Sequence, residues 1–217
     1  MTSILYWQHP ELTTWADSYV VTTGRDADGD WVELSETIAH IRGGGQLGDR
    51  GRLGEAQLLD VRRCRDTKQI KHYVDSNASL REGTDILLKI DAAWRHQNSV
   101  LHSAGHLLAG VVEDMYAGVK ATNGHHYPGE ARVDFTAPPD CEIDTKIVVE
   151  KIEQALKGNV PTGTFVHPDG MRYVKIAGYP SVGCGGTHVA TAADIARINI
   201  TKVNQKKGAL RISYSAT

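Results

Sequence analysis

Cysteine is scarce in this chain, with three in 217 residues, too few and too scattered for a disulfide framework. The small disulfide-stapled secreted scaffolds are therefore excluded. No apolar run approaches the roughly 20 residues that a bilayer-spanning helix needs, which excludes an integral membrane reading. The N-terminus, with Trp7, Gln8, His9 and Glu11, lacks the basic flank and apolar block of a secretion signal, so a cytoplasmic protein is expected. A basic excess is missing too: 24 Lys and Arg stand against 26 Asp and Glu, for a net charge of -2. Bulk charge thus gives no mark of a dedicated nucleic-acid binder. Internal repeats and low-complexity tails are absent. What remains is an ordinary globular composition, 41% hydrophobic and 23% charged, in a chain long enough for one large domain or two modest ones.

Against that background one set of residues stands out. His102 and His106 occur in His-Ser-Ala-Gly-His, and Cys184 and His188 in Cys-Gly-Gly-Thr-His. Two imidazoles four residues apart lie on one face of a helix. A thiolate and a third imidazole on a glycine-bearing loop complete a nitrogen and sulfur donor set, the environment zinc prefers over magnesium or calcium. Each half alone has a bland alternative, a half-buried histidine satisfied by a backbone carbonyl; the two halves together favour zinc. Ser103 follows the first histidine where a zinc peptidase of the His-Glu-x-x-His type has its general base, so that reading falls. The His-x-Glu and Cys-x-x-Cys of nucleic-acid deaminases are absent as well. Cys64 and Cys141 have no ligand pairs beside them and read as structural thiols.

Hydrophobic patterning divides the chain near Asp91. Before it, strands are expected over 19–23, 31–34, 57–62, 70–74 and 85–90, with a hairpin at Arg-Asp-Ala-Asp-Gly-Asp. Short strands at such spacing predict a small barrel. After it, the apolar positions from Trp94 to Met115 repeat at helical intervals over 92–117, which places the histidine pair in mid-helix and facing inward. A polar connection, a strand over 130–135 and a helix over 145–157 follow, the helix capped by Asp144 and stopped by Gly158 and Pro161. Further strands are expected over 172–176, 195–203 and 210–214. The fold class is therefore α+β: a β-barrel subdomain at 1–91, then at 92–217 a two-layer domain with helices against a mainly antiparallel sheet. Two basic stretches, one with Arg197, Lys202, Lys206, Lys207 and Arg211, the other with Arg62, Arg63, Arg65, Lys68 and Lys71, are either solvated faces or phosphate contacts.

These motifs resemble, in their order, those of the AlaX group of freestanding editing proteins, which are similar to the editing domain of alanyl-tRNA synthetase. The resemblance runs over residues 6–214. It rests on Arg-Gly-Gly-Gly-Gln-Leu-Gly-Asp-Arg-Gly at 42–51, the histidine pair, the Cys-x-x-x-His loop, and the closing stretch with Lys206, Lys207, Gly208 and Arg211. Threonyl-tRNA synthetase editing domains share the second and third signatures; the glycine-rich run tips the choice toward alanine. One departure lies before that run, where Ala39-His40-Ile41 stands in place of an aromatic-rich stretch.

The resemblance implies hydrolysis of the ester joining a wrong amino acid, serine or glycine, to alanine tRNA, with the protein acting in trans on tRNA charged elsewhere. It implies zinc held by His102, His106 and Cys184, with His188 a fourth ligand or a nearby polar group. It further implies roles around the substrate for Gly44 and Gln46, for Thr187, Gly185 and Gly186 on the loop, and for Thr122 in recognising a serine hydroxyl. Arg197, Lys202, Lys206, Lys207 and Arg211 are the expected contacts to the tRNA backbone. The alternatives are a zinc-stabilised tRNA- or protein-binding module without activity, and an editing protein for a threonine tRNA.

Overall fold

The structure, a computed structural model, describes residues 2–7, 14–158, 161–168, 170–176, 178–206 and 208–217. By their contacts they group into two compact units, Met1–Gly43 with Leu47–Arg95, and Gly44–Gln46 with His96–Thr217. Three residues of the glycine-rich run thus group with the second unit.

The first unit is made of strands: β1 (Ser3–Ile4), β2 (Trp15–Asp26), β3 (Gly29–Leu34), β4 (Glu36–Thr37), β5 (Gly51–Leu53), β6 (Ala56–Arg63), β7 (Ile70–Val74) and β8 (Asp85–Ile90). Six of them close a barrel in the order β2-β3-β7-β6-β5-β8. Closure leaves no unpaired edge to attract another chain. The two-period pattern expected of a barrel wall is plain in β2, where Ala16, Ser18 and Val20 are buried and Trp15, Asp17, Tyr19 and Val21 are exposed. The hairpin between β2 and β3 forms where the sequence predicts it, with Asp26 opposite Gly29 and Gly29 at a φ of +130°, which only glycine adopts readily. Val20, Val32, Leu34, Leu53, Leu58, Val61 and Leu88 fill the interior, each contributing about 1.5–3 kcal/mol by leaving water. The basic stretch on this unit is partly neutralised, because Arg62 pairs with Asp60 and Asp28, and Lys71 with Asp26.

The second unit takes in most of α1 (Ala92–Met115), then β9 (Lys120–His125), β10 (Arg132–Thr136), α2 (Thr145–Lys157), β11 (Gly163–Val166), β12 (Arg172–Lys175), β13 (Val182–Gly183), β14 (Ile198–Lys206) and β15 (Ala209–Ala216). One antiparallel sheet has the order β14-β15-β10-β9 and a smaller one β11-β12-β13. Ala104, Leu107, Leu108, Val111 and Val112 of α1 share a core with Val133, Phe135, Leu210 and Ile212 of the sheet and Val148 and Ile152 of α2. Asp144 caps α2 as expected, its carboxylate accepting from the N–H of Lys146 and Ile147 at 2.9 and 3.3 Å.

The expected polar connection after α1 is instead a strand, β9, at the edge of the sheet. Its Lys-Ala-Thr-Asn-Gly-His lacks apolar alternation because most of it is exposed, and it is held extended by pairing with β10, with Ala121 N–H donating to the Glu113 carboxylate at 2.7 Å. Strand β14 starts at Ile198, after a 3-10 turn at Ala192–Asp194 in which the Asp194 carboxylate accepts from Thr191 N–H. Neither described helix is long and apolar enough to cross a membrane.

Candidate metal centre

Helix α1 carries His102 and His106 on one face, their rings stacked 5.0 Å apart at 12°. Opposite them stand Cys184 and His188 of the glycine-bearing loop. One ligand atom from each of the four lies within 4.8 Å of all the others. Cys184 Sγ is 3.4 Å from His102 Nε2, and nitrogen and sulfur donors around tetrahedral zinc stand about 3.3–3.6 Å apart. His106 Nε2 is buried with no hydrogen-bond partner among the described residues. Burial pushes the His106 pKa down to about 4, so the ring stays neutral with a lone pair to offer. A buried ring nitrogen left unpaired is costly, and with the proton on Nδ1 a cation among these four donors would satisfy it. The residues present fit a metal ion.

The surroundings choose which atoms face the centre. Gln46 Oε1 lies 2.6 Å from His102 Nδ1 and accepts from Thr187 N–H at 3.0 Å. A carbonyl oxygen only accepts, so His102 carries its proton on Nδ1 and leaves Nε2 bare toward Cys184. The other end of the Gln46 amide donates to Thr187 Oγ1 at 2.8 Å, which meets Ser99 Oγ at 2.7 Å. Gln46 and Thr187 therefore stand behind the centre as braces. On the far side Ser103 Oγ is 3.3 Å from His188 Nδ1 and accepts from Val189 N–H, so the residue that replaces a peptidase base holds the loop to the helix.

Close approach, rather than unusual φ, explains Gly186: a Cβ there would lie 2.2 Å from His102 Cε1. Its N–H donates to Cys184 Sγ at 3.3 Å, so this amide serves the sulfur rather than the substrate. Arg172, which sequence reading missed, is buried and donates to the carbonyls of Cys184 and Gly186 at 3.2 and 2.6 Å. Burial raises the Cys184 thiol above its usual range, opposed by the Gly186 N–H and the Arg172 charge.

A cavity of about 570 Å³ opens beside the four donors, with Gly44, Gly45, Thr122 and Gly185 in its wall. Its size suits a small organic group. Gly45 has a φ of +76° and no room for a side chain, since a Cβ would meet Gly124 O at 2.2 Å. Thr122 lies in β9 beside a bulge and its hydroxyl donates to Asp134 O at 3.1 Å. His126 also lines the cavity and was missed because it stands in a stretch read as a connection. Its Nδ1 is 2.6 Å from the Tyr214 hydroxyl, and burial presses its pKa down to about 3.

The basic residues lie elsewhere. Lys202 and Lys206 are exposed on β14, an edge strand, and Arg197 is exposed just before it. Arg211 is engaged by Asp134 at 2.5 and 3.2 Å. Lys207 falls outside the described residues.

No protein-family model matches the chain. Among curated proteins, the alanyl-tRNA editing protein AlaX-L of Pyrococcus horikoshii is 24% identical over 235 residues, covering 99% of this chain and 58% of its own length. The alanine–tRNA ligase of Sulfurisphaera tokodaii is 24% identical over 220 residues, 86% of this chain and 24% of the ligase. That of Corynebacterium efficiens is 29% identical over 196 residues, 78% of this chain and 22% of the ligase. The chain thus spans just over half of the editing protein and about a quarter of the ligases. By motif order and by similarity along nearly its whole length, this chain resembles the alanyl-tRNA editing proteins and the matching segment of the alanine–tRNA ligases.

Proposed function

We propose that the protein is an aminoacyl-tRNA deacylase that hydrolyses the ester of serine, and of glycine, wrongly attached to alanine tRNA. The observation that carries this reading is the cavity beside four convergent nitrogen and sulfur donors, in a chain aligned over 99% of its length with an alanyl-tRNA editing protein. That alignment takes in more of the chain than the ligase alignments do, and it supports action in trans on tRNA charged elsewhere; the cytoplasm is the location proposed with it. We assign the barrel subdomain to 1–91 and the deacylase domain to 92–217.

Zinc is the ion proposed, held by His102, His106 and Cys184 with His188 as a fourth ligand or a neighbouring polar group; with three protein ligands and an open position it would supply Lewis acidity beside the ester. An aminoacyl ester is already activated, so the remaining need is orientation. Gln46 and Ser103 hold the first and last imidazoles in place. Gly44, Gly45 and Gly185 let backbone come close to the amino-acid end. Preference for serine over alanine is served by a polar contact that alanine leaves unpaired, because such a contact can discriminate by several orders of magnitude; Thr122, in the cavity wall, supplies one, and glycine, which also lacks the hydroxyl, gains nothing from it.

The test is deacylation of serine-, glycine- and alanine-charged alanine tRNA, with metal content determined on the same sample. Rapid loss of serine with alanine spared, by protein carrying one zinc per chain, is expected. Zinc-loaded protein that releases none of the three would overturn the reading. Removing the metal with a chelator is expected to abolish turnover, and readdition of zinc to restore it.

A further inference from the structure

The geometry points to His126 as a substrate-binding residue whose Nε2 accepts a hydrogen bond from a hydroxyl group of the substrate; this rests on the deacylase reading above. Its Nδ1 lies 2.6 Å from the Tyr214 hydroxyl, and that hydroxyl donates to Leu101 O at 2.7 Å. Tyrosine has one hydroxyl proton, and the carbonyl takes it. The Tyr214 oxygen can then only accept from His126, which fixes the His126 proton on Nδ1 and leaves Nε2 as a lone pair.

That lone pair has no donor among the described residues. His126 is 4% exposed, so the ring is inaccessible except where it lines the cavity. It stands outside the four-donor cluster but stacks on His102, centroids 4.5 Å apart at 23°. Glycines clear the space for it. A Cβ at Gly105 would lie 2.3 Å from His126 Cε1, and one at Gly124 would lie 2.3 Å from Nε2. The backbone is held as well, by His126 N–H donating to Gly45 O at 2.7 Å. A polar ring braced on every side, with one atom left unserved, is an acceptor that awaits a ligand.

The donors flanking the ester of an aminoacyl-tRNA are the α-ammonium, the free ribose hydroxyl and, for serine, the side-chain hydroxyl. The ammonium is better matched by a carboxylate, and Glu113 lines the same cavity. A neutral lone pair suits a hydroxyl. Its two sources differ in consequence: contact with the seryl hydroxyl makes His126 a specificity determinant, whereas contact with the ribose makes it a general anchor.

The test compares zinc-loaded wild type with His126→Phe on serine- and glycine-charged alanine tRNA, and on the serine-charged tRNA ending in 2′-deoxyadenosine. Affinity for a non-hydrolysable 3′-seryl amide of adenosine, and metal content, are measured alongside. A loss of about 10- to 100-fold in rate and in affinity, with zinc retained, is expected. Loss on serine alone assigns the seryl hydroxyl. Loss on both amino acids that disappears with the 2′-deoxy substrate assigns the ribose. His126→Gln, which keeps an acceptor, is expected to retain more activity than the Phe variant. Should the Phe variant fail to fold, Tyr214→Phe releases the tautomer and is expected to slow the same substrates. A folded, zinc-loaded Phe variant with unchanged rate and affinity overturns the inference, as does equal loss on every substrate including the 2′-deoxy one. Wild type inactive on every charged tRNA would instead sink the deacylase reading and leave the amide affinities to judge His126.

Discussion

A histidine offers a lone pair to a metal from one ring nitrogen only when the other keeps its proton, and at His102 that choice is made by Gln46. Its side chain is fully buried, with its oxygen shared between His102 Nδ1 and Thr187 N–H. Replacing Gln46 by Met keeps the volume and removes the acceptor, so the His102 tautomer is no longer fixed. The expected result is a fall in metal affinity of about 10- to 100-fold, read by competition with a chelator, with a loss of stability of about 1–3 kcal/mol beside it because Thr187 N–H also loses its acceptor. Undiminished affinity would mean that the helix alone orients His102. The four proposed ligands could be read from the sequence because their spacing follows from helix and loop geometry. The Gln46 contact could not, because its partner is 56 residues away. His126 escaped for the same reason: Tyr214, which fixes its tautomer, is 88 residues away.

At the scale of elements, the readable parts are those whose signals are local. Helix α2 lies where expected because Asp144 caps it, Gly158 ends it, and Val148, Ile152 and Leu156 form its buried stripe. Asp144→Ala is accordingly expected to cost about 1 kcal/mol, seen as a lowered denaturation midpoint with an unchanged slope. Strand β9 was not readable, since what makes it a strand is hydrogen bonding to β10 and not its own residues. The barrel carries a further device at β7. His72 is fully buried, with Nδ1 3.2 Å from Val32 O and Nε2 2.8 Å from Thr37 Oγ1. In the neutral ring Nδ1 donates to the carbonyl and Nε2 accepts from the hydroxyl, and a second proton would put a charge where no water reaches. Burial presses its pKa from 6.5 to about 4. The unfolded chain takes up that proton as pH falls below 6.5 while the folded protein refuses it until about pH 4. Stability from this residue is therefore intact above pH 6.5, lost progressively down to pH 4, and flat below, a loss of about 3 kcal/mol. Denaturant unfolding across that range is expected to show a shallower pH dependence in His72→Gln. An unchanged slope would assign the acid sensitivity to other groups.

For the whole molecule, the proposed function asks that a chain of net charge -2 hold a polyanion. The answer depends on which cations are already neutralised. Arg62 and Lys71 answer to carboxylates on their own barrel, and Arg211 answers to Asp134. Lys202 and Lys206, by contrast, are exposed on β14, where register places them two residues either side of Asn204, on one face of an edge strand. With Arg197 just before the strand, they form the surface expected to meet the phosphate backbone. Reversing both lysines to glutamate should weaken tRNA binding and lower the slope of log affinity against log salt by about 1.4–1.8, since each phosphate contact contributes about 0.7–0.9. Hydrolysis of a small aminoacyl-adenosine ester, which lacks that backbone, should continue at the wild-type rate. Arg211→Ala should change the salt slope far less, because Asp134 already engages its guanidinium. An unchanged slope in the double lysine variant, together with a large change in Arg211→Ala, would move the tRNA surface from the edge of the sheet to its face.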